Sequence, residues 1–257
     1  MNPAHVDVKK TMRVTAGRVP TLFFLQAARQ TAHIYLTSEI DCSRFLERKA
    51  ELSRSGSPKI GHVALFTQLV APVLNRFPVS KQVLREGIRP TIAEYEGLPI
   101  KILMNQKHGN DQNVMAVVIP RAENCSAAEV QALLDDAKAH GHGSAKGARL
   151  KRLLGHLPMP LAALLSRKIL QDFKKRGALQ GSVAISSLGH ARVDTFLPQI
   201  FGSLGFGLGT ISRRAAVIHD RIEIRPMMTL AMVFDHRIMD GAIAAEILAE
   251  IKSILES

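Results

Sequence analysis

An α/β fold with a mixed sheet is predicted for this chain on three grounds. Strand-like stretches rich in β-branched and aromatic residues alternate with stretches whose apolar residues recur at helical spacing. A length of 257 residues with 46% hydrophobic content suffices to bury one large core. The clearest strand-then-helix pair lies near the C-terminus. There residues 227–234 read as a buried strand, and Ile243, Ile247, Leu248, Ile251 and Leu255 fall on one face of a helix over 242–255.

The elements follow in order. Residues 20–29 predict a short helix, 33–41 a strand and 43–52 a second helix. Residues 60–76 read as a buried helix kinked at Pro72, followed by extended segments at 98–104 and 114–120. Ser126 and Glu129 form a capping-box pair, in which the hydroxyl serves an orphan amide and the carboxylate reaches back, so a helix is expected from there to about His140. Residues 150–176 predict two helices joined at Pro158 and Pro160. Leu153, Leu154, Leu157, Leu161, Leu164, Leu165 and Leu170 would give them an apolar face. Arg149, Lys151, Arg152, Arg167, Lys168, Lys174, Lys175 and Arg176 would give a basic margin. Such a segment packs on the sheet with its basic side in solvent, covers a hydrophobic channel, or lies on a membrane surface.

No internal repeat or Gly/Ser linker divides the chain, so residues 1–257 are expected to form one domain, with 53–58 and 140–147 as short loops. Cys42 and Cys125 are far apart and neither belongs to a C-x-x-C pair, so no disulfide framework or zinc knuckle is indicated and a cytoplasmic location is expected. The N-terminus lacks the apolar core of a signal peptide, and no apolar run reaches the length of a membrane span. A formal net charge of +12 favours polyanionic partners, but the chain has no Trp and only two Tyr, and it carries no nucleic-acid-binding motif, so nucleic acid is not expected among them. His140 and His142 have no nearby cysteine or carboxylate to complete a metal site, and no bound metal is expected. The glycines at 205, 207 and 209 lack phosphate-loop spacing.

Chemistry is expected at Asp235-His236-Arg237-Ile238-Met239-Asp240-Gly241, where a histidine sits between two carboxylates on a strand-to-helix connection. Rigid elements on both sides of such a connection can aim a side chain without packing it away. The run from Met228 to Ala242 resembles the active-site signature of the catalytic domain of 2-oxo-acid dehydrogenase acyltransferases, relatives of chloramphenicol acetyltransferase. Val183-Ala-Ile-Ser-Ser-Leu-Gly189, with Val193-Asp-Thr-Phe196 after it, resembles that family's T-I-S-N/S-L-G strand, about fifty residues before the histidine. Fainter likeness runs through His33 to Asp41, Val73 to Phe77 and Gly207 to Arg213, whereas residues 1–30 and 139–181 carry little of it.

The resemblance implies the chloramphenicol acetyltransferase-like two-layer sandwich, a mixed sheet with helices packed on one side, in homotrimers or multiples of trimers with the active site between subunits. It implies transfer of an acyl group between a coenzyme A or phosphopantetheine thioester, carried as acyl-CoA or acyl carrier protein, and a thiol, hydroxyl or amine. His236 matches the general base, Ser186 the oxyanion-stabilising hydroxyl, and Asp240 the aspartate that holds the site. Each has a plainer reading: a histidine ending a strand, a serine on a buried strand, and an N-cap aspartate. Ser187 points to the opposite face of the strand from Ser186. Arg13 and Arg18 are the candidate partners of Asp240, and Asp235 and Arg237 are expected to orient the loop. The D-K-A context of a lipoyl-lysine is absent, so no lipoyl attachment site is expected and a stand-alone acyltransferase is preferred. The alternative is a non-catalytic trimeric scaffold built on the same fold.

Overall fold

The computed structural model describes residues 9–12, 14–15, 18–54, 59–108, 111–140, 153–154, 156–188 and 191–257. The expectations on residues 141–152, including His142 and the start of the leucine-rich segment, lie outside these residues, as does Arg13.

The chain begins with α1 (Val19–Ala28), β1 (His33–Asp41), α2 (Ser43–Arg54) and α3 (His62–Asn75). A small hairpin of β2 (Gln82–Arg85) and β3 (Thr91–Glu94) comes next, followed by β4 (Ile100–His108), β5 (Asp111–Ile119) and α4 (Ala127–His140). Then come α5 (Met159–Gln171), α6 (Phe173–Gln180), β6 (Val183–Ser187), β7 (Leu204–Leu208), β8 (Ser212–Ile218), β9 (Arg221–Asp235) and α7 (Gly241–Glu256). The main sheet runs in the order β1-β9-β7-β6-β4-β5, and β8 pairs with the outer half of β9. The β4–β6 and β6–β7 pairs are parallel, and the other pairs are antiparallel, so the sheet is mixed as predicted.

Strand alternation places the core. Phe206 lies opposite Met232, Leu204 opposite Phe234, and Val183 and Ile185 opposite Ile100 and Ile102. All of these side chains face one layer of helices, α2, α3, α4 and α7, and all belong to one buried cluster. At its centre Phe66 of α3 meets Phe206 edge-on, with ring centroids 5.8 Å apart, a favoured aromatic geometry. Pro72 sits inside α3 without ending it. The Ser126–Glu129 capping box is present, with Ser126 N–H donating to Glu129 Oε2 at 2.8 Å and Glu129 N–H to Ser126 Oγ at 3.3 Å.

The 150–176 segment departs from expectation in two respects. Pro158 is the N-cap of α5 and Pro160 lies in its first turn, where the missing N–H leaves no bond unmade. The prolines therefore join two helical stretches as expected, since Leu153, Leu154 and His156 ahead of them are also helical, and a second break, not expected, falls at Asp172, whose side chain accepts from Lys175 N–H at 3.1 Å and caps α6. Arg176, expected on the basic margin, is 2% exposed and lies under the protein surface, whereas Leu161 and Leu164 are both 54% exposed. Val19 and Phe23 of α1 pack with Leu154 and Ala162 in a small cluster apart from the main core. The ring of Phe24 lies 4.8 Å from Lys101 Nζ, on the sheet face away from the helical layer.

Cys42 is fully buried, and burial followed by the nearby Asp41 carboxylate pushes its thiol up to about 12. Only the thiolate attacks alkylating agents. Iodoacetamide at pH 8 is therefore expected to modify the partly exposed Cys125 first and Cys42 only on unfolding. Peptide mapping that finds both labelled equally fast in the native protein would contradict this burial.

Candidate active site

β9 ends in the core, and a tight, heavily bonded turn carries the chain into α7. Asp235 is 1% exposed, a position a carboxylate tolerates only when its charge is met. Arg237 meets it with a two-pronged bond, Nε donating to Oδ1 at 2.8 Å and Nη2 to Oδ2 at 2.6 Å, while its backbone N–H donates to Oδ1 at 3.1 Å. The third guanidinium nitrogen reaches Glu86, in the connection between β2 and β3. Bonding to Asp235 first, and then to Glu86, raises the Arg237 pKa. Asp235 N–H donates to Ser203 O, and His236 N–H to Ala32 O, at 3.0 and 2.9 Å. The entry to the turn is thus fixed to two neighbouring chain segments.

This frame presents His236. Its side chain is about half exposed, its ring meets Phe234 edge-on with centroids 5.8 Å apart, and Nδ1 lies 3.1 Å from the Met239 carbonyl oxygen. A carbonyl can only accept, so Nδ1 carries the hydrogen in the neutral ring, and Nε2 keeps its lone pair. Asp240 Oδ1 is 3.8 Å from Nδ1, an electrostatic contact too long for a hydrogen bond. Asp240 occupies the N-cap position of α7, but its side chain makes no cap bond. Arg18 is exposed and pairs with no carboxylate among the described residues.

Ser186 stands elsewhere on the sheet. It pairs with Gly207, which pairs with Ala231, so its side chain faces away from the helical layer and Ser187 faces toward it. The Ser186 hydroxyl makes no hydrogen bond among the described residues. The chain between β6 and β7 crosses this face. A Cβ at Gly207 would lie 1.9 Å from Phe196 O, and one at Gly209 2.0 Å from Asp194 O. The glycine run therefore gives clearance to a crossing loop, which is why it lacks phosphate-loop spacing.

The register sets the separation of the two groups. Ser186 is level with Ala231, while His236 lies five residues farther along and two strands across. At strand spacings this is roughly 19 Å. One chain therefore does not bring Ser186 and His236 to the same reacting atom. His236, Arg237, Asp235 and Asp240 come together locally, and Glu86 joins them from 151 residues away in sequence. Sequence reasoning missed Glu86, since a lone glutamate in a turn carries no motif.

The profile of the 2-oxoacid dehydrogenases acyltransferase (catalytic domain) family matches residues 163–257. The dihydrolipoyllysine-residue succinyltransferase component of the 2-oxoglutarate dehydrogenase complex from Rickettsia typhi is 25% identical over 97% of this chain and 56% of its own length. The chain thus spans about half the length of the curated relatives it matches. Among solved structures, a dihydrolipoamide acetyltransferase from Azotobacter vinelandii, studied for the roles of one serine, one histidine and one asparagine in its catalytic mechanism, aligns with a TM-score of 0.73. It is 16% identical, over 99% of this chain and 97% of that one. A probable dihydrolipoamide acetyltransferase from Listeria monocytogenes aligns with a TM-score of 0.71 and 20% identity, over 96% and 94%. Over residues 163–257 in sequence, and over nearly the whole chain in fold, this protein is similar to the catalytic domain of the 2-oxoacid dehydrogenase acyltransferases.

Proposed function

We propose that residues 1–257 form a single acyltransferase domain that moves an acyl group between a coenzyme A or phosphopantetheine thioester and a thiol, hydroxyl or amine acceptor. The observation that carries this reading is the His236 imidazole, half exposed on a fixed turn, with Nδ1–H given to Met239 O and Nε2 left as a base. Nε2 takes the proton of the acceptor as it attacks the thioester carbonyl. The tetrahedral oxyanion accepts a hydrogen bond from a Ser186 hydroxyl. Collapse breaks the carbon–sulfur bond, and the departing thiolate takes the proton back from the imidazolium, so protons balance over one turnover.

The separation of Ser186 from His236 within one chain supports an assembly in which a neighbouring copy supplies the serine, in trimers or multiples of trimers. The relatives' names point to a dihydrolipoyl thiol as one acceptor. The basic balance of +12 suits the phosphates of coenzyme A or an acidic carrier protein. No described helix is long and apolar enough to cross a membrane. The cytoplasm is the proposed location, from two cysteines that form no pair.

Incubating the purified chain with acetyl-CoA or succinyl-CoA and dihydrolipoamide, and following acyl-dihydrolipoamide by mass spectrometry, tests the transfer. Sedimentation of the same sample is expected to show a trimer or a multiple of it. A fully active monomer would refute the shared site. An intact trimer inert toward CoA and carrier-protein thioesters would refute the enzyme.

A further inference from the structure

A cavity of about 680 Å³ opens between α1, α5 and the β2 end of the small hairpin, a volume typical of small-molecule sites. Its charge is one-sided. Arg85, Arg167, Arg176 and Arg237 line it, against the single carboxylate of Glu86. Arg237 is neutralised by Asp235 and Glu86, which leaves the other three guanidinium groups in excess.

Arg176 is the unusual member. It is 2% exposed, yet no carboxylate lies within ion-pair distance among the described residues. Its Nη1 and Nη2 donate to the Leu84 and Phe201 carbonyl oxygens, each at 2.7 Å, and its plane stacks 4.0 Å from the Phe201 ring centroid. Its Nε has no hydrogen-bond partner, and neither does the buried Ser166 hydroxyl on the same wall. A buried cation without a counter-ion is costly, and burial lowers the Arg176 pKa to about 10, so it remains charged at neutral pH. Two unmade donors and surplus positive charge ask for an anion. The rest of the wall, including Phe23, Leu84, Leu170 and Phe201, is apolar and asks for hydrocarbon.

We propose that this cavity binds an amphipathic carboxylate, its anionic end toward Arg176 and Ser166 and its apolar body along α1 and α5. The cavity shares Arg237 and Glu86 with the frame of the His236 turn, but its occupant takes no part in the transfer proposed for His236, and the two proposals are tested separately.

Calorimetric titration of the full-length protein with octanoate, octanamide and inorganic phosphate tests the site. Octanoate is expected to bind, and octanamide to bind about tenfold more weakly or less, because it lacks the charge that strengthens the bonds. Phosphate, lacking the apolar body, is expected not to displace octanoate at equal concentration. Arg176→Gln should lose the preference for octanoate over octanamide. Should that variant fail to fold, Leu164→Trp, a change at an exposed cavity-lining position, is expected to block octanoate while leaving the melting temperature unchanged. His236→Ala should bind octanoate as the wild type does, which separates this site from the transfer reaction. Equal binding of octanoate and octanamide, displacement by phosphate alone, no octanoate binding to the folded protein, or unaltered binding in Leu164→Trp would each overturn the proposal.

Discussion

Replacing His236 with alanine is expected to lower acyl transfer by about 100- to 10,000-fold, the usual contribution of a positioned acid–base group. The assembly should survive the change. What holds the turn is backbone bonding to Ala32 and Ser203 and the fork between Asp235 and Arg237, none of which uses the imidazole. The proper readout is the rate at saturating thioester, taken on material whose sedimentation matches the wild type. Since proton transfer occurs in the transition state, the loss should fall on kcat and leave thioester KM nearly unchanged. A variant that turns over at the wild-type rate would remove His236 from the chemistry. One that loses activity only by dissociating would make it a structural residue.

Much of this fold was legible because its period signals are strong. The inner half of β9 and the face of α7 read correctly within a few residues, and β6 followed from the family resemblance. The outer half of β9 was missed, although Arg221, Glu223 and Arg225 alternate there with Ile222 and Ile224. Its pairing with β8 depends on a two-residue turn at His219 and Asp220, both at positive φ (47° and 63°), with neither the Asn-Gly nor the Asp-Gly pair that usually announces such a turn. The four-residue strands β2 and β3 are too short to show a period. In the 150–176 segment the junction read at the prolines is there, with Leu153, Leu154 and His156 helical before it and α5 opening at Pro158 and Pro160, whereas the second boundary at Asp172, made by its capping bond, was missed.

The site divides along similar lines. The order Asp-His-Arg-x-x-Asp is local, so its residue types could be read directly, and the Asp235–Arg237 fork follows from their spacing. What spacing could not convey is distance through the fold. Glu86 reaches Arg237 from another sheet, and Arg176 sits inside the protein although Lys174 and Lys175 beside it are exposed. A run of basic residues looks uniform in sequence. A helix of 3.6 residues per turn directs successive members to different faces, and the carbonyl oxygens of Leu84 and Phe201 take in one of them.

Ser186→Ala is the second change expected to have a large effect, a fall in kcat on the order of 100- to 1,000-fold with little change in thioester affinity, because the bond it removes forms fully only to the oxyanion. An effect confined to KM would assign Ser186 to ground-state binding instead. The strand register makes a stronger prediction available. Ser186 is level with Ala231 and thus roughly 19 Å from His236, so under the proposed mechanism the working pair comes from two copies. Ser186→Ala and His236→Ala chains, each nearly inactive alone, should therefore complement when unfolded and refolded together. Random mixing gives roughly a quarter of the sites an intact serine facing an intact histidine. Activity near that fraction, absent from a mixture of separately refolded proteins, would establish sharing between copies. Failure of refolded, mixed assemblies to recover any activity would show that both groups serve from the same chain, or that one of them does not serve at all.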